Sequence, residues 1–363
     1  MTMAHSTRYG VIAGGVLVVI TLLVGSVVWL AARDASIRLA GAELLARGEG
    51  SVRPSRQSVE RAGPDVMLDD IRLLEARVLS SGDGDFTLFT QAPVQPAFVR
   101  ATVMGDIRAA AIFPWGLTRG SLDMAPDGRY ATTDGRFVAE VAGDWSELPD
   151  HDVEARRAVG AVDVDTDGLL LVGGAAGPTI DMMAMDGTTR RLLAPSADPG
   201  AEVVADKRLG PIVALHRLPD QRVVFVSDTA GGFRLHVIDD GLVRRVEGED
   251  GRNPVRFHGR PPIGWDGTAG GVWADWPHFP SMAPLAPGPG ERVITIGLGT
   301  GDVPEISLVD VDSGEIEVLA RLKGVEPSDE EPVSAVAVGD DLVFTASGCV
   351  WRLEGAFARL NQG

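Results

Sequence analysis

From about Met67 to the C-terminus, apolar residues come in short runs, alternating or continuous, each closed by Asp, Gly or Pro. Runs of that length with period two, or apolar throughout, predict strands, and the closing residues predict tight turns. No stretch after Arg47 sustains a 3.6-residue apolar period, which argues against α/β classes. Five stretches superpose. The first runs Ser121–Met124, a Pro126-Asp127-Gly128 turn, Arg129–Thr133, Asp134-Gly135 and Arg136–Val141. The second has Gly160–Val164, Leu169–Val172, Thr179–Met185 and Thr188–Leu193; the third has Pro211–Leu215, Val223–Ser227, Phe233–Ile238 and Leu242–Val246. The fourth has Ser281–Leu285, Arg292–Leu298, Glu305–Val311 and Glu315–Leu319. The fifth has Val333–Val338, Leu342–Ala346, Cys349–Leu353 and Ala356–Leu360. A looser unit with the same strand count precedes them, over Ile71–Leu79, Phe86–Thr90, Ala97–Met104 and Asp106–Phe113.

The turn residues Gly128, Gly168, Gln221, Gly290 and Asp340 lie 40, 53, 69 and 50 residues apart. Four-stranded units at that spacing predict an all-β chain folded as a six-bladed β-propeller, or a seven-bladed one if the longest interval hides another unit. A single twisted sheet cannot bury both faces, and radial stacking buries them while leaving only short edges. A β-sandwich pair is the rival all-β arrangement. The phrases AVDVDTDGLLLVGG and SLDMAPDGRYATTDGRFVAEV resemble the strand–Asp/Gly turn–strand unit of NHL- and TolB-type propellers. That resemblance implies the propeller fold over residues 67–363 and assigns no family function. A full set of Gly-His and Trp-Asp marks is absent, so the repeats are unlike WD repeats.

Ahead of the repeats, Val11–Ala32 is a run of 22 residues without a charge. As a helix it would reach about 33 Å, enough to cross a ~30 Å hydrocarbon core. Its length, and the large Leu30 in the small-x-small position ahead of Ala32, favour a retained transmembrane signal anchor over a cleaved signal peptide. The expected organisation is a tail over 1–10, an anchor over 11–32, a stalk or linker over 33–66 and the propeller over 67–363. Within the stalk, Arg33–Arg47 keep helical spacing and Gly48–Pro64 are polar without an apolar period. An anchor before a large folded domain is the usual layout of an exported protein, which places the propeller outside the cytoplasm at the cell membrane. Arg33, Arg38 and Arg47 just after the span count in the opposite direction.

Charge divides the chain in the same place. The whole carries −18, but residues 1–66 carry +2 and residues 67–363 carry −20. The folded part is therefore repelled by nucleic acid and anionic lipid, which excludes nucleic acid as a partner. One cysteine, Cys349, excludes a disulfide framework and any Cys-based zinc site.

Candidate chemistry is sparse. Asp163-x-Asp165-x-Asp167-Gly168 matches the opening of a calcium loop, where carboxylates at alternate positions supply hard oxygen ligands. Position 12 of that loop is Gly174 rather than an acid, and an Asp/Gly β-turn between two strands explains the same residues. Gly297-Leu298-Gly299-Thr300-Gly301 follows a strand, but residue 302 is Asp and a second strand follows, so it reads as a hairpin and not a dinucleotide loop. No P-loop, nucleophile elbow or His-x-x-x-His pair occurs. The most unusual segment is Arg252–Phe279, with Trp265, Trp273, Trp276, His258, His278 and Phe279. Aromatic residues on a long insertion at one face suit ligand stacking or a partner protein; equally, they can pin the insertion to its own fold. The expectation is a binding or scaffold module of the cell envelope with a protein partner and no cofactor. The alternative is a hydrolase- or lactonase-type enzyme with a divalent metal in the channel, each blade contributing one ligand.

Overall fold

The computed structural model describes residues 43–46, most of 76–112, the strands within 122–164, most of 169–256, 285–325, and 332–360 apart from one position. Val11–Ala32, most of the expected stalk, Asp165, Asp167 and residues 257–284 lie outside the described residues. Among the described residues no helix is long and apolar enough to cross a membrane.

The described residues are all-β, built from successive sheets in which neighbours in sequence are hydrogen-bonded neighbours in space. A strand β1 (Glu43–Ala46) comes first in the chain and belongs to the last sheet. The first sheet is β2 (Arg77–Ser81), β3 (Asp85–Gln91), β4 (Pro96–Thr102) and β5 (Ile107–Ile112). The second is β6 (Leu122–Met124), β7 (Tyr130–Thr133), β8 (Arg136–Val141) and β9 (Asp144–Glu147). The third is β10 (Val159–Val164), β11 (Leu170–Gly174), β12 (Ile180–Met183) and β13 (Thr189–Pro195), with a short parallel strand β14 (Val203–Ala205) at its edge. The fourth is β15 (Leu209–Arg217), β16 (Val223–Thr229), β17 (Arg234–Asp239) and β18 (Leu242–Val246). The fifth is β19 (Leu285–Pro287), β20 (Arg292–Leu298), β21 (Pro304–Asp310) and β22 (Ile316–Arg321). The last contains β23 (Ser334–Val338), β24 (Asp341–Ala346) and β25 (Cys349–Leu353).

The first strands of the sheets touch in a closed cycle: β2 meets β6, β6 meets β10, β10 meets β15, β15 meets β19, β19 meets β23, and β23 returns to β2. They are the inner strands of a radial stack, the β-propeller architecture. The burial pattern has the same origin. Val223, Val224, Phe225 and Val226 are all essentially inaccessible, because alternate residues enter different intersheet layers. Val223 and Phe225 pack with Leu171, Leu193 and Leu215 toward the third sheet. Val224 and Val226 pack with Val293 and Val309 of the fifth. A further layer, with Val336, Val343 and Val350 against Val78, Leu88 and Val99, joins the last sheet to the first.

The structure differs from the sequence expectation at the last sheet. Ala356–Leu360 were expected as its outer strand, yet residues 356–358 form a turn. Gly355 takes φ +65°, the Phe357 N–H donates to the Asp340 carbonyl at 2.8 Å, and the fully buried Phe357 ring joins the core. The outer position is filled by β1, antiparallel to β25 with Glu43 opposite Arg352 and Ala46 opposite Val350. Residues 43–46 are thus a strand where helical spacing was expected. The propeller begins before residue 67, and the ring is closed by pairing residues 43–46 with the C-terminal sheet.

This connectivity defines two ends of the barrel-like stack. Hairpins between first and second strands and between third and fourth strands share one end, here the acidic-turn face. It carries Asp220, Asp240, Glu291, Asp312 and Asp340. Hairpins between second and third strands, such as residues 299–303, and the connections from sheet to sheet share the opposite face.

Candidate functional site

Three polar constellations stand out among the described residues. The first joins the third and fourth sheets. Asp163, on inner strand β10, is buried, and its Oδ1 lies 3.1 Å from His216 Nδ1 while its Oδ2 accepts the Arg217 N–H at 2.9 Å. Both oxygens are thereby directed at strand β15, an interblade tie of the kind that a buried carboxylate needs. Of the three acids of the calcium-like motif, only Asp163 is among the described residues, and no group of three or more potential metal-ligating side chains occurs among them.

The second lies on the acidic-turn face, between the fourth and fifth sheets. Arg222 is largely buried and holds Asp220 and Asp312, with Asp239 at 3.9 Å and Glu291 at 4.0 Å. Its hydrogen bond to Asp312 leads the effects that hold the guanidinium above its ordinary pKa. Arg222, with Arg244 3.6 Å from Asp312, offsets the mutual repulsion of four carboxylates in and beside the turns of two sheets.

The third lies at the opposite face of the same intersheet groove, where the Arg252–Phe279 segment begins. Glu305, at the start of β21, is 5% exposed. Its Oε1 accepts from Arg321 Nε at 2.8 Å and its Oε2 accepts from Arg252. The same strip of chain is docked by three further contacts. Asn253 Nδ2 donates to the Phe233 carbonyl at 2.9 Å, Val255 is fully buried in the groove, and the Leu298 N–H donates to the Arg256 carbonyl. The glycines of Gly297-Leu298-Gly299-Thr300-Gly301 follow from this docking. A Cβ on Gly297 would lie 2.8 Å from the Pro254 carbonyl oxygen, one on Gly299 would overlap the Glu305 carboxylate, and Gly301 takes φ +73° in the turn. The motif is a hairpin between β20 and β21 that accommodates the base of the segment, as its missing third phosphate-loop glycine implied.

Trp265, Trp273, Trp276, His278 and Phe279 lie outside the described residues. What the structure supplies is the two anchorages of their segment. The chain is last described at Arg256, beside the β20–β21 hairpin at the face opposite the acidic turns, and is next described at Leu285, which pairs with Thr295 midway along β20 as inner strand β19 begins. The Arg252–Glu305–Arg321 clamp was not foreseen from sequence. Its members are 53 and 16 residues apart, and only the pairing of β20, β21 and β22 brings them together.

No protein family matches the sequence, and no curated protein does. Among solved structures, the chain is similar to a Bacteroides thetaiotaomicron protein of unknown function, with TM-score 0.51 and 8% identity over 86% of this chain and 74% of that one. It is also similar to virginiamycin B lyase from Staphylococcus aureus, at TM-score 0.41 and 13% identity over 76% and 79% of the two chains. TolB from Acinetobacter baumannii gives TM-score 0.41 and 13% identity over 76% and 62%. The first is a likeness of fold alone, and the other two carry no argument about activity. The chain is a β-propeller, with no narrower family.

Proposed function

We propose that this chain is a binding module: a six-bladed propeller held at the cell membrane by Val11–Ala32, outside the cytoplasm, that presents one face to a protein partner of the envelope. The observation that carries the reading is the investment of buried chemistry in the base of the Arg252–Phe279 segment. A carboxylate clamped by two arginines and two glycines required by close approach fix where that segment starts. The base of the segment is docked at the face opposite the acidic turns, so Trp265, Trp273, Trp276, His278 and Phe279 are the residues we assign to partner contact. Tryptophan is favoured at such contacts because one rigid ring covers a large area at low entropic cost.

The test is capture of envelope proteins by the full chain and by a variant in which residues 257–284 are replaced by a short Gly/Ser linker. A partner retained by the full chain and lost by the variant is the expected result, and an unchanged set of captured proteins removes the assignment. Metal analysis of the same preparation addresses the alternative of a channel-metal hydrolase: a stoichiometric calcium or zinc ion would favour that enzyme. Added protease should digest the propeller in spheroplasts while a cytosolic marker survives. Protection of the propeller would place it inside.

A further inference from the structure

The polarity of β1 says which end of the propeller the N-terminal segment enters. Strand β25 starts at the β24–β25 hairpin, residues 347–348, on the face opposite the acidic turns; its end, Leu353, pairs with Leu342 beside the acidic turn at residues 339–340. Glu43 pairs with Arg352 and Ala46 with Val350, so β1 is entered from the acidic-turn face and left at the opposite face. Only ten residues, 33–42, separate the apolar run ending at Ala32 from Glu43. Ten residues reach at most about 35 Å fully extended and about 15 Å as a helix.

We infer that the propeller stands on the membrane with its acidic-turn face toward the lipid and the face bearing the residue 299–303 hairpin toward the aqueous space. The inference rests on the reading of Val11–Ala32 as a retained anchor. The seven-residue strands β20 and β21 are about 23 Å long. Inverting the propeller would require the ten residues to run that height along the outside of the last sheet before entering the bilayer, which takes up most of their full extension. The upright placement requires no extension. It also lets the acidic turns stand off anionic headgroups by about one Debye length, roughly 8–10 Å, well within the tether's reach. The face opposite the acidic turns is then open to a soluble protein approaching from the aqueous side, and lipid is excluded as its occupant.

The experiment uses the full chain in vesicles whose headgroups carry an energy-transfer acceptor, with a donor on a single cysteine in a Cys349→Ser background. Glu354→Cys labels the acidic-turn face just beyond β25, where the Glu354 side chain is 79% exposed. Thr300→Cys labels the exposed hairpin on the other face. Transfer from position 354 should exceed transfer from position 300 by about twofold or more, as the strand height separating them dictates. Equal or reversed transfer in protein that floats with the vesicles overturns the orientation while leaving the anchor standing. Failure to float, with no transfer from either site, overturns the anchor and the orientation with it.

Discussion

The fourth and the last sheets have the same four-stranded order and are assembled in opposite ways. The fourth, β15 to β18, is one contiguous stretch whose hairpins pair strands as the chain emerges. The last takes three strands from the C-terminal end and its outer strand, β1, from about three hundred residues away. The contiguous sheet is stabilised by local turns and by layers on both faces. The composite sheet can be completed only when residues 43–46 meet β25, which makes it the latch of the ring. A latch carries a loop-closure cost that local hairpins avoid.

The comparison breaks most directly if β1 is removed. A fragment beginning at residue 67 keeps every strand of the fourth sheet and lacks the outer strand of the last. Losing the β1–β25 ladder is expected to cost about 2–4 kcal/mol from its few backbone hydrogen bonds, with an exposed β25 edge that favours association between molecules. Chemical denaturation of the 67–363 fragment against a 40–363 fragment measures it. Equal midpoints would mean that β1 is dispensable and the ring closes by packing of β23 against β2 alone.

Acid should separate the sheets in the other direction. His236 of β17 is buried, stacked on Phe225 with ring centroids 5.2 Å apart, and burial pushes its pKa down to about 4. The unfolded chain binds a proton on this histidine near pH 6.5, whereas the folded chain resists until about 4. The stability it contributes is therefore complete above 6.5 and is lost as pH falls through that window. The full loss is about 3 kcal/mol. Hydrogen exchange at pH 4.5 should rise in residues 223–238 ahead of residues 334–353, and His236→Phe should abolish the lead. Exchange rising first in the last sheet would reverse the assignment.

The clamp at the edge of the fourth and fifth sheets gives a smaller effect. Glu305→Ala leaves two partly exposed arginines that water can solvate, so the cost is about 1–3 kcal/mol. Partner capture should fall with it, because Arg252 no longer fixes the base of the segment. Thermal unfolding and capture measured together test this, and a stability loss with capture unchanged would reduce the clamp to packing alone.

How much of this was legible in the sequence follows from the same contrast. Val223–Ser227, Arg292–Leu298 and Cys349–Leu353 were readable because continuous apolar runs between Asp/Gly turns have one structural meaning, and β20 and β25 match the expected bounds. β1 was not readable, because ELLA is a short apolar pair with charged neighbours whose pairing partner is decided by ring closure and not by its own composition. Ala356–Leu360 misled for the complementary reason: Phe357 and Leu360 are apolar because they plug the core beneath the sheet, not because they extend it. The clamp was invisible because opposite charges far apart in sequence have no local period. Asp163 was conspicuous by its motif, and its environment among the described residues is that of a structural tie.

That last residue supports the finest test. Asp163→Asn preserves the side-chain oxygen that accepts the Arg217 N–H and removes only the charge facing His216. The expected loss is about 1 kcal/mol, the net worth of an ordinary hydrogen bond. Asp163→Ala also strands the Arg217 N–H, and should cost about 1–3 kcal/mol. The response to calcium distinguishes a tie from a ligand, because an Asn carbonyl can still ligate the ion while Ala removes the ligand altogether. Calcium added to the unsubstituted protein should leave its unfolding temperature unchanged. An upward shift that Asp163→Asn weakens and Asp163→Ala abolishes would make Asp163 a metal ligand and remove the interblade tie as the reason for its burial.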